Sequence, residues 1–387
     1  MDYQALITQL EDPAALPMLA GSTGRVFALG EDTTAIAGGE RAPEPLALHV
    51  NVGDCVTVEL TNALPRGPVS FHVDMLAFDP LASGVPAGRN ATSPVAAGQT
   101  RAFTFYAHPA IGETTALVRD FADVTSNPRL GLYGAIIVGP IGATYTDPET
   151  GADSSAGSSW RVDVHPPNGP AYRDFALFFQ DEDAAIGTHR MPYTRDVDGV
   201  VGLNYRIEPL GERPAGIGAF DLAAHPPRTP ELVALVGDPV RIHVIAPYSE
   251  QAQVFAIEGH RWPQERGTPR TNLLSAVQVG GLEAITLELD GGAGGPAALA
   301  GDYTYGDART AYRDAGLWGA FRVYACVPAG VRLASLDGRG AACAASGGPA
   351  GLPPTLVVPY AVLLGAAVML GIGVRRRRNR GRQAGAA

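Results

Sequence analysis

The sequence predicts an all-β chain of two Greek-key β-sandwich domains followed by a single C-terminal transmembrane helix. Three observations predict it: a 19-residue uncharged span near the C-terminus, short alternating apolar runs broken by turn residues, and an internal repeat. The span runs from Leu356 to Val374 (LVVPYAVLLGAAVMLGIGV). At about 1.5 Å per residue it is roughly 28 Å long as a helix, close to the hydrocarbon thickness of a bilayer. Six arginines follow in 375–387, a basic tail expected on the cytoplasmic side. Pro353, Pro354 and Pro359 mark the helix entrance, and Tyr360 is placed for the outer interface. A buried core helix is rarely uncharged for so long and does not end in four consecutive arginines.

Residues 331–355 form the expected stalk, with Gly338 to Gly351 (GRGAACAASGGPAG) lacking any hydrophobic period. Leu352-Pro353-Pro354-Thr355 before a hydrophobic span and a basic tail resembles a cell-wall sorting signal. That signal requires Gly where Leu356 stands, so the span is read as a permanent anchor, with everything before it outside the cytoplasm.

The repeat gives the organisation. Val50-Asn51-Val52-Gly53-Asp54-Cys55-Val56-Thr57-Val58 matches Ala234-Leu235-Val236-Gly237-Asp238-Pro239-Val240-Arg241-Ile242. The closing segments match too: Gly131-Leu132-Tyr133-Gly134 against Gly316-Leu317-Trp318-Gly319. Between them, Gly98 before Phe103-Thr104-Phe105 corresponds to Gly281 before Ile285-Thr286-Leu287. Three matches in register indicate a tandem duplication. Each unit alternates apolar and polar positions between Gly, Pro, Asn and Asp, and carries no long amphipathic helix, the pattern of an antiparallel sandwich. The expected boundaries are a lead-in at 1–23, domains at 24–145 and 161–330, and at 146–160 a polar segment read as a linker or long surface loop.

Every one of the 29 basic residues is Arg. With the six tail arginines set aside, 23 basic residues face 39 acidic ones, a net charge of about −16. Such a surface excludes nucleic acid as an expected partner and leaves the membrane and a cell-surface protein. Cys326 and Cys343 are the disulfide candidate for an oxidising compartment. Cys55, in a strand-like run, is expected to be a small buried hydrophobe. Asp2, Glu11 and Asp12 interrupt any apolar core in the first 19 residues, so export is expected to depend on sequence upstream or on a different start.

From Gly24 to Val323 the chain resembles the multicopper oxidases, which are built from cupredoxin domains. The residues that carry the resemblance are Gly53-Asp54-Cys55-Val56, Phe71-His72-Val73-Asp74, the Gly131 closing segment, Asn204-Tyr205-Arg206 and Gly259-His260-Arg261-Trp262. The resemblance implies copper as cofactor and oxidoreductase chemistry, on an unknown substrate. A blue copper site needs two imidazoles and a thiolate. At the family's His-Cys-His run this chain has Gly306-Asp307-Ala308, and no His-x-His occurs anywhere. Gln253, Ala256 and Glu258 replace three histidines of the family's second-domain segment, and Thr115 to Phe121 has lost both histidines of a pair.

The degenerate ligand positions that remain as metal candidates are His72, Asp74, Asp120 and His260. His72 and Asp74 would share one strand face, with Asp120 approaching them in the folded domain, an N/O set suited to a borderline divalent ion. The competing reading makes His72 a hydrogen-bonded relic in a repacked core, and its lost partners favour that reading; His260 beside Trp262 reads as packing. Two functions of different class follow. One is a membrane-anchored, multicopper-oxidase-like cell-surface protein, either the C-terminal part of a larger copper oxidase or a relative that has lost its copper sites. The other is a copper-free cupredoxin pair serving as a structural or binding module. A metallochaperone using His72 is a third, weaker reading. In the first two, this chain alone is not expected to bind copper or to be an active oxidase; the metallochaperone reading requires measurable copper affinity that depends on His72.

Overall fold

A computed structural model describes residues 24–90, 92–183, 199–336 and 342–343. The chain divides into two compact units, Met1–Ala342 and Cys343–Ala387. All the elements below belong to the first. Among the described residues no helix is long and apolar enough to cross a membrane. The span 356–374, the tail and the lead-in 1–23 lie outside the described residues.

The alternating runs form strands. The first half contains β1 (Leu46–Asn51), β2 (Cys55–Thr61), β3 (His72–Val73), β4 (Ala77–Phe78), β5 (Thr100–Tyr106), β6 (Thr114–Arg119) and β7 (Tyr133–Gly139). The second half begins with β8 (Thr144–Thr146), β9 (Arg161–His165), β10 (Tyr172–Asp183) and β11 (Gly199–Leu203). It continues with β12 (Leu232–Leu235), β13 (Val240–Ser249), β14 (Gln253–Ile257), β15 (Trp262–Pro263) and β16 (Leu273–Leu274). It ends with β17 (Ala276–Val279), β18 (Glu283–Glu288), β19 (Gly301–Asp307) and β20 (Trp318–Tyr324). Short helices α1 (Thr33–Ala37), α2 (Ser126–Arg129) and α3 (Thr310–Asp314) interrupt them.

The sheets repeat one plan. In the first sandwich, order β1-β7-β6-β3 faces order β2-β5-β4. In the second, order β12-β20-β19-β14-β17 faces order β18-β13-β10-β9-β8. The opening strand pairs in parallel with the closing strand in both, β1 with β7 and β12 with β20. The matched glycines explain why the sequence signal survives at these points. Gly53 and Gly237 turn the chain from β1 to β2 and from β12 to β13, between facing sheets, at φ +96° and +82°. Gly131 and Gly316 precede the closing strands at φ +102° and +113°, each just after the short helix α2 or α3. These are backbone states an L side chain rarely adopts. A Cβ on Gly316 would also stand 2.6 Å from the Glu208 backbone nitrogen.

Strand β7 is buried along its whole length. One face, with Ile136 and Val138, packs on Phe71, Phe103 and Phe105 of its own sandwich. The other, with Tyr133, Ala135 and Ile137, joins the large core of the second sandwich around Phe178, Ile242 and Val244. Strands β6 and β7 contact β13, and β6 contacts β18. A strand covered on both faces reads as an unbroken apolar run, which is how Tyr133–Gly139 reads. The four sheets are thus stacked, with the β1-β7-β6-β3 sheet inside.

Three expectations are corrected. Cys55 is exposed, because it falls in the solvent-facing set of β2 with Thr57, Glu59 and Thr61. The expected first boundary at 145 falls inside β8, which pairs with β9 in a sheet of the second sandwich. Residues 146–160 are not a free linker: Ser158 Oγ accepts from Ala47 N at 3.0 Å, and Ser159 N donates to Ala47 O at 3.0 Å. The described start of the expected stalk is also tied down. Ala334 N donates to Pro148 O, and Ala334 O accepts from the fully buried Arg173 guanidinium, each at 2.7 Å. Cys326 and Cys343 are both in disulfide linkage.

Gly316→Ala is expected to cost about 2–4 kcal/mol, since the added methyl meets backbone at a left-handed position. Gly53→Asn, which meets nothing within 4 Å, is expected to cost less than about 1 kcal/mol. Chemical denaturation midpoints of the two variants check the difference.

Candidate functional site

His72 opens β3 opposite Arg119 of β6. Its Nδ1 lies 2.7 Å from Ser83 O, so Nδ1–H donates there. Its Nε2 lies 3.4 Å from Asp74 Oδ1, and Asp74 Oδ2 accepts from Arg119 at 3.3 Å. The imidazole is wedged edge-on between Phe78 and Phe121, at 5.0 and 5.3 Å. Burial alone would raise the Asp74 pKa, but His72 and the Arg119 guanidinium hold it below the usual carboxylate range. The structure therefore brings His72 and Asp74 together, as their spacing predicts.

Asp120 does not join them. Its Oδ1 accepts from Ser70 N, and its Oδ2 accepts from Asp123 N at 2.9 Å and Asn127 Nδ2 at 2.8 Å. Those bonds close the loop leading into α2, and burial raises the carboxyl pKa. An acidic residue two positions before a turn reads in sequence as easily as a ligand as it does as a loop clamp. Here it is the clamp.

His260 follows Gly259, whose φ is +67°. Its Nδ1–H donates to Glu258 O at 2.7 Å and its Nε2 accepts from Gly294 N at 3.0 Å. Both ring nitrogens are spent, and burial lowers its pKa, keeping the ring neutral. Tyr303 and Phe321 pack on it at 4.7 and 5.2 Å.

The Gly306-Asp307-Ala308 stretch ends β19. A Cβ on Gly306 (φ +146°) would meet Leu317 O at 2.3 Å and Trp318 Cα at 2.5 Å. No imidazole fits at that position without moving the closing strand. Asp307 is fully buried and accepts from Arg309 N at 2.6 Å and Val254 N at 3.4 Å. Gln253 of β14 donates to Ser249 Oγ at 2.9 Å. A blue copper centre does not fit this donor set: it offers no thiolate, and His72 and His260 stand in different sandwiches. Among the described residues no group of three or more His, Cys, Asp or Glu is placed to hold a metal ion.

A buried polar network lies where the two sandwiches meet, and the sequence reading missed it. Asp174 of β10 accepts from His243 Nε2 of β13 at 2.8 Å. His243 Nδ1 faces Thr115 Oγ1 of β6 at 2.6 Å and Thr286 Oγ1 of β18 at 3.0 Å. His49 of β1 lies 3.9 Å from Asp174 through Nδ1 and 3.1 Å from Ser159 O through Nε2. Burial would raise the Asp174 pKa, but His243, Arg241 and His49 hold it down. Burial also lowers the His49 pKa, outweighing Asp174. Arg241 lies over the Tyr172 ring at 4.2 Å and binds Glu113 and Glu288 at 2.7 and 2.8 Å. An Asp-His-Thr chain of this kind polarises a hydroxyl, but Asp174, His243 and Thr115 are only 2, 2 and 6 % exposed, with no room for a substrate. The available signal was isolated polar residues set between apolar ones in a strand, as in Leu46-Ala47-Leu48-His49-Val50 and Val240-Arg241-Ile242-His243-Val244.

No family model matches the sequence, and no curated protein matches it. Solved structures do. A multicopper oxidase is 18% identical at a TM-score of 0.49, covering 74% of this chain and 80% of its own. The blue copper oxidase from Nitrosomonas europaea is 17% identical at 0.49, covering 72% and 76%. The copper nitrite reductase from the same organism is 17% identical at 0.48, covering 73% and 83%. At these TM-scores the likenesses carry no argument of their own, and the strand order stands on the hydrogen-bonded pairs described above.

Burial pushes the Asp307 pKa up to about 6. The folded state thus holds this proton more tightly than the unfolded chain, so ionisation at neutral pH disfavours folding. That penalty fades as pH falls through about 6 and is gone below the ordinary carboxylate range. Asp307→Asn is expected to stabilise the protein at pH 8 by up to about 3 kcal/mol. The gain should vanish near pH 3.5, as thermal unfolding at the two pH values will read.

Proposed function

We propose that this chain is a multicopper-oxidase-like protein that has lost its copper sites. It works as a copper-free pair of cupredoxin sandwiches, a binding module held at the outer face of a membrane. The observation that carries the copper-free part is the Gly306-Asp307-Ala308 stretch. Its glycine leaves no room for an imidazole, and its carboxyl is buried and bonded to backbone. His260 supports the same reading, since both its nitrogens are occupied by backbone partners. The family resemblance rests on the ordered motifs and on the duplicated strand order. The placement at a membrane rests on the uncharged span 356–374 and the arginines after it.

Copper titration of the purified chain tests the first part. After dialysis the expected copper content is far below one per chain, with no thiolate-to-copper absorption band and no shift in Tm. Stoichiometric copper with that band would refute the reading. Cell fractionation tests the second part. The full chain is expected in the membrane pellet after high-salt and alkaline washes, and a chain ending before Leu356 in the soluble fraction.

A further inference from the structure

The second sandwich holds a cleft of about 590 Å³ that shares no residue with the former copper-ligand positions. Its size suits a small organic molecule. Both sheets contribute walls, through Arg161 of β9 and Phe175 of β10 on one side and Val233 of β12 and Tyr324 of β20 on the other. Trp160 and Phe175 lie side by side with their rings tilted and centroids 6.3 Å apart, and residues 330–333 close one flank.

The polar lining is unusual for so acidic a chain. Four arginines, Arg161, Arg206, Arg228 and Arg332, face three glutamates. Each glutamate is already engaged. Glu44 accepts from Trp160 Nε1 at 3.1 Å and pairs with Arg206 at 3.5 Å; Glu149 pairs with Arg161, and Glu231 with Arg322. Arg228 is committed to Glu208 and Glu212, at 2.9 and 2.7 Å. Two guanidiniums keep donors to spend. Arg206 makes a single ion pair with its five N–H groups, and the exposed Arg332 has no partner among the described residues.

The backbone delivers Arg206 deliberately. Asn204 and Tyr205 are consecutive non-glycine residues at φ +50° and +63°. Asn204 holds that turn by accepting from Phe178 N at 2.7 Å and donating to Ala176 O at 3.1 Å, and Tyr205 Oη donates to Gly131 O at 2.5 Å. Strain held in place by surrounding bonds is the mark of a position with a task.

We propose that this cleft binds a small organic carboxylate carried on an apolar, aromatic-sized body. The acid group pairs with Arg206 and Arg332, and the body lies against Tyr324, Val331 and Leu333 over a floor of Trp160 and Phe175. Planar guanidinium forks match a carboxylate in charge and shape. The proposal is independent of the copper-free reading, because the two sites have no residue in common.

The test titrates the full chain with N-acetylphenylalanine, read by calorimetry and by Trp160 fluorescence. Saturable binding is expected, weakened about tenfold or more for N-acetylphenylalanine amide and for the Arg332→Glu chain. Arg206→Gln is expected to weaken it similarly, with near-ultraviolet circular dichroism confirming the fold of both variants. Absence of saturable binding, or equal binding of acid and amide, overturns the proposal. So does competition by inorganic phosphate at equal concentration, which would mark a bare anion site.

Discussion

The structure depends on one constraint: the β1-β7-β6-β3 sheet is buried on both faces, by its own partner sheet and by the second sandwich. Each large apolar side chain lost to solvent there, such as Leu117 or Ile137, contributes about 1.5–3 kcal/mol. That burial forces β7 to be apolar throughout and makes every polar group in the seam answer for itself. Asp174 is buried there, and although burial alone would raise its pKa, His243, Arg241 and His49 hold it below the usual carboxylate range. A buried ionic network of this kind adds little net stability, since desolvation offsets its attraction. Its effect is on uniqueness. Shifting one sandwich by a residue would break the Thr115–His243 and Glu113–Arg241 bonds that cross the seam, while Asp174 keeps His243 and Arg241 keeps Glu288 within the second sandwich.

The same accounting applies at the metal-candidate positions. A metal ligand must keep a lone pair free, and a buried lone pair without a partner is expensive. A buried position that holds no metal must instead make a hydrogen bond or be small. His260 has two backbone partners, Asp120 three donors, and position 306 is a glycine under Trp318. His72 is the intermediate case. One nitrogen is satisfied by Ser83 O, and the other faces a carboxylate that Arg119 also holds.

The sequence made the duplication legible because its markers are backbone requirements. Gly53, Gly237, Gly131 and Gly316 occupy left-handed positions that few other residues tolerate, so their spacing survives divergence of everything between them. Strand periodicity was legible for the same reason. The seam was not. His49, Thr115, Asp174 and His243 stand on four strands from two sandwiches, and nothing local says that they meet. Cys55 was misread because a strand-like run does not say which of its two faces is wet. The helices α2 and α3, at four and five residues, are too short to give a period. The cleft at Arg206 was hidden in the same way: Asn204-Tyr205-Arg206 stood out as a motif, but its partners lie in Glu44, Trp160 and the 330–333 segment.

The seam and the metal-candidate positions draw on different residues. The seam uses the faces of β1, β6 and β7 that look toward the second sandwich, whereas His72, His260 and Asp307 sit at strand ends and the turns beside them. Strand ends can be rebuilt without disturbing either core. The reverse does not hold: an ionic network that fixes how two sandwiches meet restrains every strand that carries it. Divergence is therefore expected to concentrate at the ends of the sheets, where His72, His260 and Asp307 lie, and to spare the stacked interior that keeps those ends in place.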